Sequence, residues 1–139
     1  MYKKLSKETL PAQKRLLVID DEEGITRVIQ EALTLHGYDV HTACDGNEGI
    51  QKFKDQLFNV VITDIMMPNA DGNSVVGYIR ASSRRTTPII GMSGTPLLLN
   101  DSDFDKVLFK PFPLQSLINA VRTFPPVANF ERIRLRACA

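Results

Sequence analysis

The chain has 139 residues, 43% of them hydrophobic and 24% charged, which is one domain of ordinary globular composition and excludes a disordered, coiled-coil or collagen-like polymer. Its longest clean apolar run, residues 16–19, is four residues, far short of the roughly 18 of a membrane span, and no apolar segment follows the charged residues 1–15 as a secretory signal would require. The net charge of +1 divides into +4 over residues 1–15, −5 over 16–124 and +2 over 125–139. An acidic middle lacks the basic stripe of a nucleic-acid-binding face, and the basic ends read as solvated tails.

The elements follow in chain order. Residues 15–19 form a strand buried on both faces, since four consecutive apolar residues leave no polar side. Ile25, Val28, Ile29, Ala32 and Leu33 repeat at helical spacing, and Gly37 stops that helix. Residues 38–43 are a weaker strand. Asp45 and Glu48 have capping-box spacing ahead of Ile50, Phe53 and Leu57 on a second helix. Residues 60–62 are a second fully apolar strand running into Thr63 and Asp64.

A loop then holds Met66, Met67, Pro68, Asp71 and Gly72, and Val75, Val76 and Ile79 mark a third helix that Asp71 caps. Pro68 and Gly72 shape the loop, and the two methionines are packing and loop residues. Residues 88–92 and 107–109 are the last strands, and Leu114, Leu117, Ile118 and Val121 line a final helix ended by Pro125 and Pro126. Strands alternating with helices predict an α/β fold: a doubly wound, five-stranded parallel sheet. The domain spans residues 15–124, with a polar basic arm over 1–14 and a tail or linker remnant over 125–139. Cys44 and Cys138 are too few for a disulfide framework and read as reduced thiols in a cytoplasmic protein.

Ligands of an open parallel sheet bind beyond the carboxyl ends of its strands. There this sequence places Asp20, Asp21, Asp64, Ser93, Gly94 and Lys110. Two ionised carboxylates ~5 Å apart at an effective dielectric of ~20 repel by about 3 kcal/mol. A hard divalent cation removes that cost, and Mg2+ suits a site with few carboxylates. One carboxylate is then available as a nucleophile toward phosphorus, with an ammonium and a hydroxyl for the incoming oxygens. Each residue alone has an ordinary reading as a turn, cap or solvated charge; their joint position at the strand ends is what points to chemistry.

The runs 16–22, 60–72, 87–94 and 107–112, with the loop after Asp64 and the Lys110–Pro111–Phe112 element, resemble the receiver domain of two-component response regulators over residues 15–124. The resemblance implies a flavodoxin-like fold of strand order 2-1-3-4-5. It implies that Asp64 accepts a phosphoryl group from a histidine kinase or histidine phosphotransfer protein, in a Mg2+-dependent reaction that shifts the conformation shown to a downstream effector. Asp21 then matches a direct Mg2+ ligand, Asp20 its acidic partner, and the Met66 backbone carbonyl the third protein ligand. Ser93 and Lys110 match the groups that contact the phosphoryl oxygens, and Gly94 offers a backbone N–H. The Lys110–Pro111 bond is expected cis. Such a domain is not an enzyme beyond its own phosphorylation and slow dephosphorylation. No membrane partner and no nucleic acid are expected through it.

Two departures stand out. Val107 occupies the position, three before the lysine, where receivers carry Tyr or Phe. Phe109 points to the same side by strand alternation. Only sixteen residues separate Ser93 from Lys110, and Thr95 to Asp105 has poor helical continuity, so a shortened fourth helix is expected and the familiar dimer face is not assumed. His36 and His41 lack a second histidine at ligand spacing. Two other readings remain at this point. One is an aspartate-nucleophile, metal-dependent phosphatase, disfavoured by Asp20-Asp21-Glu22 in place of Asp-x-Asp. The other is an interaction domain that is never phosphorylated.

Overall fold

The computed structural model describes residues 13–67, 69–94 and 103–124. Five strands form one parallel sheet: β1 (Arg15–Ile19), β2 (Asp39–Ala43), β3 (Val60–Asp64), β4 (Ile89–Ser93) and β5 (Lys106–Phe109), in the order β2-β1-β3-β4-β5. The helices among the described residues are α1 (Glu23–Leu35), α2 (Gly46–Asp55), α3 (Gly72–Ala81) and α4 (Leu114–Arg122). Both β3 and β4 extend to the polar residue that the sequence reading placed at their edge. The shortened helix expected between Ser93 and Lys110 falls largely on residues 95–102, outside the described residues, as do Pro68 and the tails. No helix among the described residues is long and apolar enough to cross a membrane.

Alternation along β1 shows why the sheet is covered on both faces. Leu16 and Val18 join Ile62, Ile90 and Met92 against Ile29 and Leu33 of α1 and Leu117 and Val121 of α4. Leu17 and Ile19 point the other way, joining Val61, Ile65 and Ile89 against Phe53 of α2 and Val75, Val76 and Ile79 of α3. Burying each such side chain contributes about 1.5–3 kcal/mol, so a one-residue slip of β1 would exchange two packed layers.

Local chemistry sets the helix limits. Gly37 adopts φ +91° after α1, a conformation open to glycine, and its N–H donates to Thr34 O at 3.0 Å. Asp45 caps α2 by accepting from Glu48 N at 2.8 Å. The Glu48 carboxylate turns instead to Cys44 N, also at 2.8 Å, so the reciprocal half of the predicted box reaches one residue further back. Asp71 caps α3, accepting from Ser74 N at 3.0 Å. The far end of α2 is closed by Arg84, whose guanidinium donates to Phe53 O and to Gln56 O and lies over the Phe53 ring.

At the sheet edge, Val107 packs into the layer with Phe53 and Val75. Phe109, on the same side by alternation, is 46% exposed and does not supply a buried ring. Met67 packs against the core, whereas Met66 is 55% exposed, so the expected packing role holds for Met67 alone.

Candidate functional site

Parallel pairing brings the carboxyl ends of four strands to one rim. Ile19 is level with Thr63, Asp64 with Met92, and Ser93 with Phe109. Asp20 and Asp21 follow β1, Asp64 and Ser93 end β3 and β4, and Lys110 follows β5. One carboxylate oxygen from each of Asp20, Asp21 and Asp64 lies within 4.8 Å of the others. Asp20 is 1% exposed and Asp64 6%, while Asp21 is open to solvent.

Lys110 closes this cluster. Its Nζ donates to Asp20 Oδ2 at 3.0 Å and lies 3.4 Å from Asp64 Oδ2. Asp20 Oδ1 accepts from Glu22 N at 3.0 Å. The Lys110–Pro111 peptide is cis, as expected, and Lys110 N donates to Ser93 O at 2.7 Å, tying the lysine to the end of β4. Ser93 is itself buried.

The electrostatics are those of a crowded acidic cluster held by one ammonium. Burial pushes the Asp64 carboxyl above the usual carboxylate range, and the charge on Asp20 adds to the rise; Lys110 and the Met66 backbone N–H oppose it without cancelling it. Burial works against the Lys110 charge, but its hydrogen bond to Asp20 and the charges of Asp20 and Asp64 prevail, so its affinity for the proton rises. One ammonium thus pairs with two of the three clustered carboxylates, Asp20 and Asp64. This donor set, all hard oxygen and partly open to water through Asp21, fits a small divalent cation such as Mg2+.

The backbone beyond Asp64 is held closely. Ile65 N donates to Met92 O at 2.9 Å and Gly72 N to Ile65 O at 3.0 Å. A Cβ on Gly72 would lie 2.5 Å from Asp64 O. The far side of the loop is fixed by Gly46 at the start of α2, whose N–H donates to Ala70 O at 3.0 Å, and a Cβ there would meet that oxygen at 2.1 Å. The sequence reading found the charged residues and Gly72 but missed the direct Lys110–Asp20 contact, the Met66 N–H and Gly46. The only signal for Gly46 was a glycine at a helix start, where glycine is common for other reasons.

The family model of the response regulator receiver domain matches residues 16–122. The chain is 34% identical over 123 residues to a probable transcriptional regulator, ycf27, of Cyanidium caldarium, covering 80% of this chain and 49% of that protein. It therefore spans about half the length of such regulators. Among solved structures, the chemotaxis protein CheY4 of Vibrio cholerae superposes with a TM-score of 0.76 at 28% identity, covering 82% of this chain and 100% of the other. The response regulator TrrA of Thermotoga maritima, in complex with Mg2+-BeF, superposes with a TM-score of 0.73 at 33% identity, covering 79% and 97%.

Proposed function

The chain belongs to the response regulator receiver domain family, and on that premise we propose that it is a phosphoacceptor switch in which Asp64 takes a phosphoryl group from a phosphohistidine. The donor is a histidine kinase or a histidine phosphotransfer protein. A carboxylate oxygen of Asp64 bonds to phosphorus as the phosphorus–nitrogen bond breaks, and the imidazole nitrogen keeps that bond's electron pair. The observation that carries this reading is the buried Asp64 carboxylate, within 4.8 Å of Asp20 and Asp21 oxygens and 3.4 Å from the Lys110 ammonium.

Each remaining residue has a part. Asp20, Asp21, Asp64 and the Met66 backbone carbonyl would hold Mg2+, which supplies the positive charge that makes their crowding tolerable and offsets charge on the phosphoryl oxygens. Lys110 gives an ammonium to an oxygen that gains charge during transfer, and Ser93 a hydroxyl to another. Partly relinquishing Asp20 for the phosphoryl group draws Lys110, and with it the end of β5, toward Asp64. The resulting population shift is what a downstream effector reads. A change from 1:99 to 99:1 requires about 5.5 kcal/mol of differential stabilisation.

The test is incubation with Mg2+ and a small-molecule phosphodonor, followed by intact-mass analysis and site mapping, with Asp64→Asn in parallel. One phosphoryl group on wild type, labile to base and absent from Asp64→Asn, is expected. Modification at another residue, or steady turnover of the donor with no stable phosphoprotein, would refute the assignment and favour the phosphatase reading.

A further inference from the structure

The aromatic side chain that receivers commonly carry at the position of Val107 is absent, yet a buried ring shares the layer of Ile65, the residue after Asp64, by another route. Phe104, just before β5, is buried in the layer that contains Ile65 and Val107. Its Cδ1 lies 2.7 Å from where a Cβ on Gly91 would stand, and Ile65 Cδ1 lies 3.1 Å from the same point. The missing side chain in the middle of β4 is therefore the space into which Phe104 and Ile65 both close. Ile65 directly follows Asp64, and its backbone is bonded on both sides, to Met92 O and from Gly72 N.

The residues flanking Phe104 are also held. Arg80 of α3 donates to Asp103 O at 2.9 Å and to Asp105 Oδ2 at 2.7 Å. Asp105 Oδ2 accepts from Ile89 N at 2.7 Å, and Asp105 N donates to Ile89 O at 2.9 Å. Phe104 is thus an anchored ring joining the residue after Asp64 to the start of β5.

We propose that Phe104, packed over Gly91 against Ile65, transmits the state of Asp64 to residues 103–107, in place of a ring at residue 107. The proposal rests on the phosphoacceptor reading. A shift of the Asp64–Ile65 peptide repositions the Ile65 side chain, and close packing passes such a shift to the ring rather than absorbing it in free space. Val107 sits in the same layer but has no ring to reorient.

The experiment uses the full chain with Mg2+-beryllofluoride as a phosphoryl mimic. Hydrogen exchange of the backbone amides of residues 103–107 is measured with and without the mimic in wild type, Phe104→Leu, Phe104→Tyr and Gly91→Ala. In wild type the mimic is expected to change exchange at these amides by about fivefold or more. Phe104→Leu should bind the mimic within about threefold of wild type, yet show less than about a twofold change, and Phe104→Tyr should keep the response. Gly91→Ala, which displaces the ring, should lose it as Phe104→Leu does, and serves if Phe104→Leu does not fold. A wild-type response in Phe104→Leu or in folded Gly91→Ala, or mimic binding to wild type with no change at residues 103–107, overturns the proposal while leaving the acceptor assignment intact. Absence of Asp64-dependent binding in wild type overturns the acceptor assignment, and this proposal with it.

Discussion

Lys110 donates a hydrogen bond to Asp20 at 3.0 Å across a separation of 90 residues. The pair ties the first strand's end to the last strand's end over a carboxylate, Asp20, that has almost no contact with water. A buried charge of this kind persists only with a partner, and removing the partner costs more than the bond itself contributes.

Lys110→Gln should therefore destabilise the protein at pH 7 by about 1–3 kcal/mol, the cost of leaving a buried acceptor without its donor. The folded protein raises the proton affinity of Lys110, so this stabilisation is complete below the unfolded lysine value of about 10.4 and disappears as pH rises through the higher folded value. Urea unfolding of wild type and Lys110→Gln between pH 7 and 11.5 should show the gap closing only at the alkaline end. A gap that is absent at pH 7 contradicts the ion pair's role.

Asp64 has the opposite sign. Its carboxyl is raised first by burial and then by Asp20, so its ionised form subtracts from stability above the folded pKa and ceases to do so below the unfolded value of about 3.9. Asp64→Asn should raise Tm at pH 7 by about 2–5 °C while abolishing phosphorylation. Thermal melts down to pH 4 should show that gain shrinking. A lower Tm for Asp64→Asn at pH 7 would contradict a strained carboxylate.

Mg2+ should stabilise wild type, by about 2.7 kcal/mol at a concentration one hundredfold above its Kd. Asp21 is exposed, so Asp21→Asn should fold normally and lose most of that gain. Calorimetry with and without Mg2+, and after chelation, measures it. Equal Mg2+ stabilisation in both proteins would remove Asp21 from the proposed ligand set.

Two glycines of α3 should respond oppositely to alanine. At Gly72 a Cβ would press on Asp64 O at 2.5 Å, whereas at Gly77 nothing lies within 4 Å. Gly72→Ala should cost about 1–3 kcal/mol, and it should also weaken Mg2+-beryllofluoride binding, because the displaced oxygen belongs to Asp64, the proposed acceptor. Gly77→Ala, on an exposed helical position, should stabilise by about 0.5–1 kcal/mol. Denaturant midpoints at constant m-value distinguish these outcomes.

The sequence carried the layered sheet because its strands are short runs of consecutive apolar residues and its helices repeat at helical spacing, patterns that survive without coordinates. It also placed Asp20, Asp64, Ser93 and Lys110 together, since in a parallel sheet the strand ends must share one rim. The Asp45 and Asp71 caps were legible for a similar reason: a cap bonds within three residues of itself.

Partnerships made through space were another matter. That Lys110 rests on Asp20, that Gly46 holds Ala70, and that Phe104 fills the space above Gly91 all join residues from different elements. The sequence offered Phe109, at the end of β5, as a ring beside Val107, and only packing shows it exposed while Phe104, just before the strand, is buried. Local pattern determined which residues form strands and which end them; tertiary structure decided which side chains touch, because contact depends on the depth and orientation of elements that the intervening chain does not encode locally.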